Sequence, residues 1–124
     1  MVWCHFPYLP ELQPGPKPRP ALIVRVFEDS ATRYRVLVAY GTSQKLNALR
    51  AGEFAITARD GAAYGLSGLS YDTKFSMKDV VELPYSAQWF KVPPHAAHGQ
   101  LPKMGMLHPS LVQRAAAAWK AVQP

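Results

Sequence analysis

Six residues of this 124-residue chain have the types and spacing to handle a phosphodiester: Lys17 and Arg19, and further along the run Thr42, Ser43, Gln44 and Lys45. A guanidinium fork can grip two phosphate oxygens and stabilise charge that develops on them, while hydroxyl and amide groups orient the same oxygens or a ribose. RNA brings its own nucleophile, the 2′-OH, so cleavage to a cyclic phosphate demands mainly alignment and charge stabilisation. The same residues also suit plainer roles. Lys17 and Arg19 would then be solvated charges and Thr42-Ser43 a helix cap, which on residue types alone is the commoner use of Ser and Thr.

Other chemistries have less support. His95 and His98 form an H-x-x-H in a loop sequence with no cysteine nearby, which falls short of a zinc ligand set. Cys4 and His5 are adjacent, so on a strand they point to opposite faces and cannot work together as nucleophile and base. The lone Cys4 reads as a small buried side chain. His5 could assist a proton transfer, but a structural hydrogen bond is the commoner use of a strand histidine. Gly-rich phosphate loops and Ser/His/Asp motifs are missing from the sequence, and its eight acidic residues are scattered. No cofactor is expected.

The phosphodiester reading depends on elements that bring Arg19 and Thr42 together. Residues 21–27 (ALIVRVF) and 34–40 (YRVLVAY) are rich in β-branched and aromatic side chains and flank the polar stretch EDSATR, which predicts an antiparallel hairpin. With its turn centred near Ser30 and Ala31, Arg19 falls opposite Thr42. Opposed residues have Cβ atoms about 5 Å apart, although a bulge or a slip of one residue would change the partner and its face. Residues 2–6 read as a first strand. Residues 7–18 form a proline-rich loop in which missing amide donors and fixed φ angles exclude helix and central strand. Residues 43–49 suggest a helical turn, 53–58 a strand, 61–70 a mobile loop, and 80–83 and 88–92 later strands. From Pro109 the period changes. Leu111, Val112, Ala115, Trp119 and Val122 fall near one helical face opposite Gln113 and Lys120, so a helix is expected over 109–122, packed on the β elements.

The length suits one domain over residues 1–124 with its own core. The longest apolar runs are far shorter than the ~20 residues a membrane helix needs, and residues 1–6 do not read as a secretory signal, so a cytoplasmic protein is expected. A net charge of +6 favours a polyanionic partner such as nucleic acid or an acidic protein segment. The excess is local: between Lys17 and Arg50 seven basic residues face only Glu28 and Asp29.

Several segments carry a family resemblance. KPRPALIV, from Lys17 to Val24, resembles the R-P-A-L-V segment of the MazF/PemK toxins, and Thr42-Ser43-Gln44 resembles their T-S-Q segment after the next strand. WCHFP from Trp3, DTKF from Asp72 and VVELP from Val80 are similar to further family segments in the same order. The chain departs from the pattern at His5, where many members carry an acidic residue, and in the prolines before Arg19, where relatives often have glycine. The resemblance implies a mostly β, small SH3-like barrel with a C-terminal helix. It also implies a homodimer that cuts single-stranded RNA without metal and is neutralised by an acidic antitoxin protein. By that similarity Arg19 and Thr42 would be catalytic, and Ser43 and Gln44 would contribute to the pocket; Lys17 and Lys45, by their charge, would attract the RNA backbone. The rival readings are a CcdB-type barrel that binds gyrase and cuts nothing, and a degenerate barrel that only binds.

Overall fold

The computed structural model describes residues 1–7, 13–30, 33–94 and 98–123. Residues 8–12 of the proline-rich loop, Ala31 at the expected turn centre and His95 lie outside the described residues.

The chain is mostly β. Strands β1 (Val2–Cys4), β2 (Arg19–Ser30), β3 (Arg33–Thr42), β4 (Glu53–Ile56) and β5 (Thr73–Pro84) form one antiparallel sheet in the order β1-β2-β3-β5-β4, with β1 and β4 at its ends. The expected hairpin is its centre. Ala21 pairs with Tyr40, Leu22 with Ala39 and Ile23 with Val38, which is the expected register; bulges between Ile23 and Arg25 and between Glu28 and Ser30 shift it nearer the turn.

Both faces of the hairpin are covered at its base, which suits strands that are almost continuously apolar there, whereas Val26, Phe27 and Tyr34 toward the turn are exposed. Leu22 and Ala39 belong to a cluster with Phe54, Phe75, Leu111 and Ala115, and the Phe54 and Phe75 rings stack at 5.6 Å. Ala21, Val36 and Val38 face the other way, into a cluster with Cys4, Leu83, Trp89 and Phe90. Strand β1 is short because its outer edge is taken by other segments. Trp3 N–H donates to Pro102 O at 3.0 Å, Lys91 N–H to Trp3 O at 3.0 Å and His5 N–H to Trp89 O at 2.7 Å. Such cover keeps an edge from pairing with other chains.

Strand β5 serves two neighbours. Its second half pairs with β3 from Val80–Ala39 to Pro84–Arg35, and its first half pairs with β3 at Ser76–Tyr40, Phe75–Gly41 and Lys74–Thr42 while also pairing with β4. Between the halves the register jumps, with residues 77–79 looped out against β3.

Several expectations change. The expected strands over 2–6 and 53–58 end at Cys4 and Ile56, the second followed by a 3-10 turn (Ala58–Asp60), and residues 61–70 are mostly helix α1 (Ala62–Ser67) in place of a loop, ending at Gly68 with φ 74°, a left-handed cap that suits glycine. Residues 43–49 contain a hydrogen-bonded turn from Lys45 O to Ala48 N–H and no helix. Residues 88–92 contribute one bridge, Phe90 to Cys4, because the backbone turns at Ser86 to hydrogen-bond Trp89 and Phe90. Helix α2 (Pro109–Ala121) ends one residue early and buries Leu111, Ala115 and Ala118, whereas Val112, one position off that stripe, is exposed. His108 caps α2 through Nδ1, which accepts from Ser110 N–H at 3.0 Å.

Arg114 fastens α2 to the sheet. Its guanidinium donates to both carboxylate oxygens of Asp60, at 3.0 and 3.1 Å, and to Ala55 O at 2.9 Å. Among the described residues no helix is long and apolar enough to cross a membrane.

Candidate functional site

The hairpin's paired ladder ends at Ala21–Tyr40, and beyond it each strand is paired only along its other edge. Arg19 and Pro20 pair with Cys4 and Trp3 of β1, while Gly41 and Thr42 pair with Phe75 and Lys74 of β5. Continuing the hairpin register outward still sets Pro20 against Gly41 and Arg19 against Thr42. At Pro20 and Gly41 the backbones remain close: a Cβ added to Gly41 would sit 2.5 Å from Pro20 O and 2.7 Å from the Phe75 ring. Glycine is required here by space.

A cavity of about 630 Å³ opens at this end of the hairpin, within the ordinary range for ligand sites. Arg19, Thr42 and Ser43 supply its polar wall, and Trp3, Leu69, Tyr71, Pro93 and Met104 supply much of its apolar wall. Arg19 is half-buried, and among the described residues it forms no ion pair and no side-chain hydrogen bond. Thr42 Oγ1 accepts from Gln44 N–H at 3.1 Å, which orients the hydroxyl and leaves its hydrogen available to donate. Thr42 therefore caps a turn, and the expected helix cap is absent because no helix follows. Lys45 takes φ 53° as the chain reverses.

The candidate residues divide into three positions. Arg19, Thr42 and Ser43 share the cavity. Gln44 and Lys45 line a neighbouring cleft of about 250 Å³ with Thr42 on the boundary between the two hollows; Arg50, Lys74, Glu53 and Asp79 also line the cleft. Lys17 is exposed and lines neither. In the cleft, Lys74 Nζ donates to Glu53 Oε1 at 3.1 Å, and the same oxygen accepts from Arg50 N–H at 2.7 Å. Burial works against the Glu53 charge, but the Arg50 amide and the Lys74 ammonium outweigh it and hold the carboxyl below its usual range. Lys45 and Arg50 form no ion pair among the described residues.

His5 lies away from this wall. Its Nδ1–H donates to Gly15 O at 2.7 Å, since a carbonyl can only accept, and Gly15 N–H returns to His5 O at 3.3 Å. The side chain ties β1 to the proline-rich loop. Cys4 is fully buried, and burial pushes its thiol up to about 12. Among the described residues no three His, Cys, Asp or Glu side chains gather as a metal-binding group.

Sequence reasoning missed the apolar wall and the Glu53–Lys74 pair. The wall comes largely from residues between Gly68 and Thr73 and from Pro93, Pro94 and Met104, which reach Arg19 only through tertiary folding. The one local signal was an exposed aromatic, Tyr71, in a polar context. No family model matches this chain, and no curated protein matches its sequence.

Proposed function

We propose that this chain is a metal-independent endoribonuclease that cuts single-stranded RNA at the Arg19–Thr42 cavity. The observation that supports it is that one cavity is lined by a guanidinium with no ion pair among the described residues and by an oriented hydroxyl, from opposite ends of the hairpin sequence. In this reading the RNA 2′-OH attacks the adjacent phosphorus, the bond to the 5′-oxygen breaks, and a 2′,3′-cyclic phosphate and a 5′-OH result. Arg19 acts by charge and geometry: it grips the non-bridging oxygens and stabilises their growing charge. The Thr42 hydroxyl donates to the same phosphate or the ribose, and Ser43 stands beside it. The nucleophile's proton passes to solvent, and solvent returns one to the departing 5′-oxygen. Gln44 and Lys45 meet the strand as it crosses Thr42 into the neighbouring cleft, while Lys17 adds attraction from outside it, which makes binding salt-dependent.

The resemblance to MazF/PemK toxins extends the reading. The sheet curls as an SH3-like barrel, the protein works as a homodimer in the cytoplasm, and an acidic antitoxin neutralises it; the +6 charge suits that partner.

The test is cleavage of a single-stranded RNA by purified protein, with and without a chelator, with end groups mapped. Cyclic-phosphate ends are expected in both conditions. Arg19→Ala should lower the rate at least about 100-fold while the circular-dichroism spectrum stays unchanged. Undiminished cleavage by Arg19→Ala, or loss of cleavage on chelation, overturns the reading. Intact RNA together with capture of gyrase replaces it with a non-enzymatic one.

A further inference from the structure

The lining of the cavity includes one strongly exposed aromatic side chain. Among the described residues Tyr71 is the most exposed of the large apolar residues, at 72% of its full accessible surface, and it borders the cavity that holds Arg19 and Thr42. Exposed aromatic rings are usually mobile or packed flat on a neighbour. Here the backbone on either side is fixed. Thr73 Oγ1, itself on a buried residue, donates to Tyr71 O at 2.8 Å, and Asp72 Oδ1 accepts from Ala58 N–H at 2.8 Å. Just before it, Leu69 is buried in the cavity wall and Gly68 closes helix α1 against Met104, whose carbonyl oxygen would lie 1.9 Å from a Cβ at Gly68. Tyr71 is thus an exposed aromatic residue on an anchored backbone that lines the same cavity as Arg19.

We infer that Tyr71 is a stacking platform for a nucleobase of the RNA strand whose phosphate sits on Arg19. This rests on the ribonuclease reading and adds a base subsite to it. A flat ring beside apolar neighbours accepts the π-face of any base, and a cation lining the same cavity suits the attached phosphate. An acidic peptide would satisfy Arg19 but gives the ring nothing flat to hold. The platform implies that the enzyme senses the presence of a base next to the scissile phosphate more strongly than which base it is.

Binding separates the two ideas, because it can be measured without cleavage. The probes are a fluorescein-labelled 2′-O-methyl RNA hexamer, whose blocked 2′ position cannot attack, and an abasic oligomer of the same phosphate count. Wild-type protein should bind the base-bearing probe about tenfold more tightly than the abasic one. Tyr71→Ala should erase most of that difference, and Tyr71→Phe should keep it. At 72% exposure neither change threatens the fold. If RNA is never cut but the Tyr71-dependent preference for bases is present, the subsite stands and the ribonuclease reading falls. If Arg19-dependent cleavage occurs and Tyr71→Ala binds and cuts as wild type does, the ribonuclease reading stands and the subsite falls. Equal binding of both probes, no binding of either, or displacement by an acidic peptide with no base preference also overturns the subsite.

Discussion

Lys74 Nζ lies 3.1 Å from Glu53 Oε1, and the backbone of Lys74 is the direct cross-strand partner of Thr42. The side chains are only 8% and 14% exposed. The strand that carries the proposed catalytic threonine is therefore flanked by a nearly dry ion pair, and the positive charge of Lys74 is already committed.

Breaking that pair from one side should be costly. Lys74→Met leaves Glu53 charged and largely out of water, which should cost about 2 to 3 kcal/mol. Lys74→Met with Glu53→Leu should recover most of the loss. Urea denaturation at neutral pH measures both, and equal instability of single and double variants would show that packing, not charge, is responsible.

Acid should act through two carboxylates. The Arg114 guanidinium and the Thr57 amide hold Asp60 below its usual range against burial, and Glu53 is held low as described above. A lowered native pKa gives stability that is fully present above the unfolded values, about 3.9 and 4.3, and is lost as pH falls through the lower native ones. The melting temperature should therefore vary little from neutral pH down to about pH 5 and drop below about pH 4. Glu53→Gln with Asp60→Asn should start lower and drop less steeply; an unchanged slope would assign acid sensitivity to other groups.

The end of the hairpin's ladder should be intolerant of even one methyl. Gly41→Ala pushes a Cβ to 2.5 Å from Pro20 O and 2.7 Å from the Phe75 ring, inside the buried sheet. Overpacking of this kind costs about 1 to 3 kcal/mol, and RNA cleavage should fall with it although Gly41 bears no functional group. Gly65→Ala is the control, since a Cβ there meets nothing within 4 Å and alanine favours a helix. Matching melting temperatures for the two variants would refute the close approach.

The thiol of Cys4 should be inert in the native protein. Burial raises it to about 12, so little thiolate exists at neutral pH and reagent has no path to it. Alkylation should occur only at the rate of unfolding, followed by mass spectrometry with and without denaturant. Rapid native labelling would mean that β1 opens.

What could be read in the sequence was whatever local pattern dictates. The hairpin was legible because two apolar runs flank a polar turn, and its register at Ala21–Tyr40 follows from the length of that turn. Helix α2 was legible because Pro109 opens a helical period. Helix α1 was hidden: its six residues include Gly65 and lie among glycines and serines that read as loop. Residues 88–92 have strand composition, but Trp89 and Phe90 owe theirs to burial against Cys4 and Val38. Of the candidate site residues, Arg19, Thr42 and Ser43 line one cavity, whereas Lys17 and the Gln44–Lys45 pair lie outside it. Residues two or three apart on a bending chain need not share a wall, and nothing local records where the bend falls.

The three residues looped out of β5 leave the strand's two halves keyed to β3 independently. Disturbance at the far end, around Pro84 and Arg35, can be absorbed at residues 77–79 without sliding Lys74 or Phe75 past Thr42 and Gly41. The bulge insulates the alignment at the cavity, leaving the distant tip of the hairpin free to vary while the Arg19–Thr42 wall stays in place.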